Sequence, residues 1–535
     1  MSTSSLHLRH NVRFEPLING WYAWPLLIPP ATYGMIAKNL HLRIMESFIQ
    51  APDLHRAAAS NPAMRGGPFM DYAGATENVR SMVADLKRRA AKPIRIAEAI
   101  KELDTTVKAE ARGSSLLPLY QRVPAELRGC VELCYDLYNQ PRTRLIEALL
   151  YKRHYEPSFQ SFAVSSVRTD DRPFVLSTPR ICDKEELSFR LRFDSPIIDE
   201  LMSMRSRAGT TDIVERLAEE HLEGSAEHRD LLRSLFTTTP RRVSEDAHYA
   251  GSGLRIRYFG HATVMVQSHS VCILMDPVIG YPVEQGIPRF TFADLPETID
   301  YVLLTHAHQD HVMFETMLQI RHRVRNWIVP KNSGGDLQDP SLKLMLTTLG
   351  FHNVHELDEL EQIALPDGGT ITGIPFFGEH GDLHIRSKLA YHVRVSGTTL
   401  MFVSDSNNLA RELYDDIRSI LGPLDILFIG MECTGAPMSW LYGPLFTSPI
   451  DRKQDQSRRL NGSDFDSALA VVGSLQPKAV YVYAMGQEPW LKHISSIEYN
   501  SDSVPIVESN KLVAECQLRG VKSSRLYGSY QTILS

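Results

Sequence analysis

Apolar residues recur in two different rhythms along this chain, and the change comes near its middle. From residue 1 to about 245 the pattern is mixed and mainly helical. Ser81 to Ala111 is rich in Ala, Lys, Glu and Arg, with Pro93 expected to start a new helix or kink an existing one. Pro124 to Leu137 carries Leu127, Val131 and Cys134 at helical spacing, and Thr211 to Glu220 opens on Thr-Asp with a Glu at 215. Phe189 to Phe193 alternates and predicts a strand. A break is expected over Thr237 to Asp246, where Thr-Thr-Thr-Pro-Arg-Arg interrupts any helix.

Beyond it, short β-rich runs dominate. Strands are predicted at Leu254 to Tyr258, Thr263 to Val266, Val271 to Met275, Tyr301 to Leu304, Ala390 to Val395, Thr399 to Val403, Ile426 to Ile429 and Ala479 to Tyr483. Strand after strand ends in a polar residue, Gly or Pro, as expected where a sheet carries its site on loops at one edge. The chain thus divides into an N-terminal domain, 1–245, and a C-terminal domain, 246–535. Its 535 residues are too many for one ordinary core.

Composition narrows the function classes. With 43% hydrophobic and 22% charged residues the bulk of the chain should fold. A net charge of -6 without a Lys/Arg block argues against a nucleic-acid surface. Six scattered cysteines, Cys130, Cys134, Cys182, Cys272, Cys433 and Cys516, read as reduced thiols in a cytoplasmic protein. The apolar run Trp21 to Pro30 is too short to cross a membrane and is interrupted by three prolines. It reads as a packed or dimer-forming segment.

The chemistry is concentrated in Thr305-His-Ala-His-Gln-Asp-His311, directly after a strand. In extended backbone His306 and His308 point the same way and can share one metal. A turn into a helix at about Asp310 would swing Asp310 and His311 toward a second. Downstream, Glu379 and His380 are adjacent and point different ways, so either is available as a further ligand. Asp405 follows a strand, where an Asp can cap a turn or offer its carboxylate to a metal, whereas the run Pro477 to Gly486 contains no His. A shell with this many carboxylates leans toward iron, and an open position on an iron pair suits oxygen activation. On zinc the same opening would hold a nucleophilic water.

The hexapeptide resembles the motif of the metallo-beta-lactamase superfamily over roughly residues 250 to 510. Within it, His261 matches a first-hairpin residue that is generally not a ligand, and Asp276 a structural Asp of the early sheet. Closer still, Phe376-Phe-Gly-Glu-His-Gly381, Gly430-Met-Glu-Cys-Thr-Gly-Ala436, Ser439-Trp-Leu-Tyr-Gly-Pro444 and Asp455-Gln-Ser-Arg-Arg-Leu-Asn-Gly-Ser463 are similar to the diiron beta-hydroxylases of chloramphenicol and nonribosomal peptide biosynthesis. The resemblance implies an α/β fold, a C-terminal metallo-beta-lactamase αββα sandwich preceded by a mainly helical α+β domain.

It further implies a monooxygenase acting on the beta carbon of an amino acid tethered to a carrier domain of a nonribosomal peptide synthetase. His306, His308 and Glu379 would bind one iron, Asp310 and His311 the other, with Asp405 between them. Glu379 and Asp405 would also serve catalysis. The implied cofactors are two oxo- or hydroxo-bridged irons, with O2 as co-substrate and an external electron donor. The implied partners are the loaded carrier, a redox protein and a second copy of the chain, with no membrane. A dizinc hydrolase of an ester, amide or phosphodiester is the alternative. Trp440 and Tyr442 are candidate channel walls, Glu432 and Cys433 candidate rim residues, and Arg452, Lys453, Arg458 and Arg459 a basic cluster for an acidic carrier. His493 reads as a surface or supporting residue.

Overall fold

The computed structural model describes residues 5–182, 185–223, 226–239 and 247–534. Most of the expected break at 237–246 therefore lies outside the described residues.

The C-terminal half is a sandwich of two seven-stranded sheets. The first runs, in spatial order, Val354–Leu357, Val324–Pro330, Ile299–Leu303, Cys272–Met275, Thr263–Gln267, Leu254–Gly260 and Tyr530–Leu534. The second runs Gln362–Ala364, Thr370–Ile374, Ala390–Val395, Thr398–Phe402, Ile426–Gly430, Ala479–Tyr483 and Lys522–Arg525. All eight predicted strands are present. Ile256, Val264, Ile273 and Leu303 of one sheet meet Tyr391, Leu400, Phe402 and Phe428 of the other in a shared core. Each such side chain taken out of water contributes about 1.5–3 kcal/mol. Helices Arg411–Leu421, Phe465–Leu475 and Val504–Leu518 cover the outer face of the second sheet. This is the αββα arrangement.

The N-terminal half is a five-stranded sheet flanked by helices, with Val12–Ile18 paired to Gln160–Ser166 at its centre. The helix expected around Pro93 is two helices, Thr76–Arg89 and Ala91–Glu110, broken at Ala90. Pro93 sits in the first turn of the second, where its missing N–H leaves no bond unmade. Thr211–Glu220 is a helix, as predicted.

Two local predictions fail. Pro124 to Leu137 is not helical: after a single turn at Ala125–Leu127, Val131–Tyr135 pairs with Pro141–Leu145 as a hairpin. Gly129, at φ +73°, breaks the helical path, and the Asp136 carboxylate accepts N–H bonds from Tyr138 and Gln140 to close the turn. The alternation of Val131, Glu132 and Leu133 prevailed over the three-residue spacing of Val131 and Cys134. The strand expected at Phe189 to Phe193 is confined to Leu187–Phe189.

The two halves share one core. Phe14, Phe162 and Met202 from the N-terminal half cluster with Phe314, Met317 and Leu346 on the outer face of the first sheet. The Trp21 to Pro30 run is buried within its own chain. A buried ion cluster fastens this seam. Glu15 accepts from Arg180 at 2.7 Å, and Arg172 reaches Glu315 at 2.8 Å and Glu15 at 3.8 Å. No helix among the described residues is long and apolar enough to cross a membrane.

Candidate metal centre

The hexapeptide is held at its start by Asp276. This carboxylate accepts the Thr305 N–H at 2.7 Å and the Thr305 hydroxyl at 2.6 Å, and stands 2.9 Å from His311 Nδ1. His311 Nδ1–H is therefore spent on Asp276, which aims Nε2 at Asp405 Oδ2, 3.0 Å away. The chain does not enter a helix at Asp310. It turns, with the N–H groups of His311 and Val312 both donated to the His308 carbonyl, and the helix begins at Phe314. The turn alone separates the two donor pairs.

Three donor groups result, each with its ligand atoms within 4.8 Å of one another: His306, His308 and Glu379; His306, His311 and Asp405; and His261, Asp310 and His311. His308 stands with Nδ1 2.9 Å from Glu379 Oε1 and Nε2 2.8 Å from the Tyr442 hydroxyl. His306 Nδ1 faces the Thr305 hydroxyl at 3.0 Å, leaving Nε2 without a partner. Asp405 Oδ2 lies 3.9 Å from that Nε2 and 3.0 Å from His311 Nε2, within the second group.

The site fits metal ions. His306 Nε2, Glu379 Oε2 and Asp405 Oδ1 are all buried with no hydrogen bond, a combination costing about 1–3 kcal/mol per atom unless something satisfies it. Four imidazoles crowd together, with ring centres of His306 and His311 4.1 Å apart. Burial and the charge of His311 and His308 hold His306 well below the ordinary imidazole range. For His311 burial also lowers the value, but Asp405 and Asp276 outweigh it and raise the ring well above. A bound cation between such groups replaces the protons that they would otherwise share.

Of the two adjacent residues, Glu379 is the one that joins a donor group. His380 Nδ1 stands 2.9 Å from Glu379 Oε2 without hydrogen-bond alignment, and His380 belongs to none of the three donor groups. The loop is held in shape by left-handed backbone at Gly378 (φ +79°) and Glu379 (φ +70°). A Cβ on Gly378 would lie 2.5 Å from Asn407 Cβ. His261, Asp276, Ser404 and Ala484 share positive φ, so the strained backbone gathers at the strand ends that carry the donors.

The strand Ala479–Tyr483 ends in Ala484-Met-Gly486, which offers no histidine to the centre. Here the loop closes over His261: the Gly486 N–H donates to His261 Nδ1 at 3.1 Å and the Ala484 N–H to its carbonyl. A neutral His261 thus keeps its proton on Nε2, facing Asp310 at 3.5 Å. That tautomer suits support of Asp310 rather than coordination.

Other singled-out residues divide. Glu432 faces the centre: burial and the carboxylates of Asp405, Asp310 and Glu379 push its pKa well above the carboxylate range. Cys433 is buried with its thiol toward the Met431 carbonyl and joins no donor group. His493 is not a surface residue. It is buried in the seam beside Tyr22 and belongs to none of the donor groups. Arg458 and Arg459 bond the carbonyls of Gly381 and Gly435, while Arg452 and Lys453 are exposed. Asp451 and Asp455 cap backbone and bond Ser439 rather than pairing with this cluster. Two contributors were not singled out from sequence. Tyr483 accepts the Ser404 N–H beside Asp405, and Lys388 bonds the Gly378 carbonyl under the Glu379 loop. Neither carries a local motif; only the paired strands bring them near.

Fold and donors together define a metallo-beta-lactamase-type sandwich with a site for two neighbouring metals. Residues 7–240 match the family described as the diiron non-heme beta-hydroxylase N-terminal domain, and residues 272–463 the beta-lactamase superfamily domain. The chain is 38% identical over 529 residues to the 4-amino-L-phenylalanyl-[CmlP-peptidyl-carrier-protein] 3-hydroxylase of Streptomyces venezuelae, covering 97% of this chain and 98% of that one. It superposes on the crystal structure of CmlA, a diiron beta-hydroxylase from the same organism, with a TM-score of 0.92, 36% identity and 100% of both chains covered. A mutant of the CmlA beta-hydroxylase gives 0.89 at 36% identity, over 99% of this chain and 100% of that one. The chain belongs to the diiron non-heme beta-hydroxylase family.

Proposed function

We propose that the protein is an oxygen-dependent diiron monooxygenase that hydroxylates the beta carbon of an amino acid held as a thioester on a carrier domain of a nonribosomal peptide synthetase. The observation that carries this reading is the carboxylate Glu379, rather than an imidazole, against His308 in a site that also lacks the late histidine. His306 Nε2, His308 Nδ1 and Glu379 would hold one iron, Asp310 and His311 the second, and Asp405 would lie between them. The bound pair would supply oxygen activation and the oxidising power to replace a C–H bond by C–OH.

The chain's own residues do the rest. Asp276 and Tyr442 fix the orientation of His311 and His308 from behind. Glu379 keeps one oxygen free of hydrogen bonds, so its carboxylate can turn without leaving His308, which a histidine in its place could not do. Electrons would come from an external redox protein, and a homodimer in a cytoplasmic setting completes the reading.

Iron content, Mössbauer spectra and an assay on carrier-loaded amino acids test it. Two coupled irons per chain and an oxygen-dependent mass gain of one oxygen on the tethered amino acid are expected. Two zincs with oxygen-independent hydrolysis would overturn it. Glu379→His should lower hydroxylation more than iron retention; equal loss of both would remove the role given to the turning carboxylate.

A further inference from the structure

A cavity of about 630 Å³ opens between the two halves, away from the seven-stranded core. Trp24, Ile44 and Phe174 of the N-terminal half and Trp440, Leu441 and Phe446 of the C-terminal half give it apolar walls. The rings of Phe174 and Trp440 stack 6.2 Å apart across the junction, and Trp440 Nε1–H is bonded to the Gly66 carbonyl. The walls are thus fixed before anything enters.

Charge on this cavity is of one sign. Arg43 and Lys101 line it, and no carboxylate does. Both cations are exposed, and among the described residues neither side chain has an ion-pair or hydrogen-bond partner. The neighbouring cations are engaged: Lys38 pairs with Glu98 at 2.8 Å and Lys108 with Asp104 at 2.7 Å. Two uncommitted cations over an aromatic-walled cavity complement a ligand with one anionic group and an extended, mostly uncharged body.

One short helix lies between the cavity and the metal donors. The short helix Ser439–Tyr442 presents Trp440 to the cavity, while the Tyr442 hydroxyl contacts His308 Nε2 at 2.8 Å. A ligand seated here lies against the same helix that backs His308.

We propose that this cavity receives the phosphopantetheine arm of the carrier domain, Arg43 and Lys101 holding its phosphodiester and the aromatic walls packing its pantetheine chain. The assignment rests on the carrier-tethered function proposed above. A phosphodiester is ionised at every working pH, so the two cations find a permanent partner, and the gem-dimethyl and amide stretch beyond it suits walls of this composition.

The test uses the iron-loaded full-length enzyme, titrated with 4'-phosphopantetheine and with pantetheine lacking the phosphate, binding being read by tryptophan fluorescence. The phosphorylated compound should bind at least ten times more tightly, and the Arg43→Glu, Lys101→Glu double variant should erase that preference without changing iron content. Equal binding of the two compounds, binding of neither, or a preference unchanged in the variant overturns the proposal. Steady-state hydroxylation separates the two levels of inference. Wild-type enzyme with the phosphate preference but no hydroxylation of carrier-bound amino acids removes the proposed function and leaves the cavity assignment. Active wild-type enzyme whose KM for the loaded carrier is unmoved by the double variant removes the cavity assignment alone; a rise of at least tenfold is expected.

Discussion

The two halves of this molecule divide the work unequally: among the described residues every member of the three donor groups lies in the C-terminal sandwich, while the N-terminal half packs against the sandwich's outer face. In the sandwich, chemistry sits at strand ends, where Asp276, Glu379 and Ser404 accept left-handed backbone. At the seam the buried charges serve cohesion, with Glu15 and Arg172 of the N-terminal half meeting Glu315 of the sandwich. The sandwich thus carries the metal cradle, and the N-terminal half packs a second layer against it.

The sharpest way to break this division is at Asp405. Its Oδ2 stands 3.9 Å from His306 Nε2 and 3.0 Å from His311 Nε2, and the three residues form one donor group. Asp405→Asn should leave less than two irons per chain and reduce hydroxylation on the order of a thousandfold, about 4 kcal/mol of barrier. Metal analysis beside turnover checks it. Full iron content with full activity would detach Asp405 from the centre.

The N-terminal counterpart is Arg172. Arg172→Met would leave Glu15 and Glu315 facing each other without their shared cation, a change expected to destabilise by about 3–5 kcal/mol in urea unfolding. Burial raises Glu15, but Arg180, Arg13 and Arg172 outweigh it and bring the carboxyl down from 4.5 to about 2. A depressed acid stabilises above its unfolded value and loses that contribution as pH falls through the folded one. The wild-type stability should thus decline between pH 4.5 and 2, and the variant should show a flatter limb.

The same contrast marks what could be read from the sequence. The sandwich was legible because each strand is a short apolar run with a polar end, and because three histidines and an aspartate in one hexapeptide have few structural uses. Glu379 and His380 were not separable by spacing: the choice depends on the twist of a loop pinned against Asn407 and Asn461. Val131 to Tyr135 was misread because a glycine and an Asx turn override helical spacing. The Tyr442 contact with His308 spans 134 residues, a distance no local pattern encodes.

That contact is the next place to probe, since it joins the cavity side of the molecule to the metal side. Tyr442→Phe removes the acceptor behind His308 Nε2 and leaves the aromatic ring. Loss of such an outer hydrogen bond costs about 10–100-fold in metal affinity or activity. The effect should fall on turnover and on the iron spectrum, with little change in unfolding midpoint; an altered midpoint with an unaltered spectrum would make Tyr442 a packing residue only.

The last expected effect lies at the opposite edge of the seam, where Glu147 of the N-terminal half accepts the Ser341 N–H and the Asn332 amide, each at 2.9 Å. Burial is the main reason its carboxyl is pushed up to about 7, and the nearby Asp339 and Glu356 add to the rise. An acid raised in the folded state binds its proton more tightly there than when unfolded. Its stabilisation is complete below the unfolded value of 4.5 and is lost as pH rises to 7. Glu147→Gln keeps the uncharged form at every pH. The stability difference between wild type and variant should therefore shift by about 3 kcal/mol from pH 4.5 to pH 8, in the direction that favours the variant at the higher pH. Parallel curves would mean that water reaches Glu147 freely, and that the N-terminal half is fastened to the sandwich by its arginine cluster and shared core without a pH-sensitive edge.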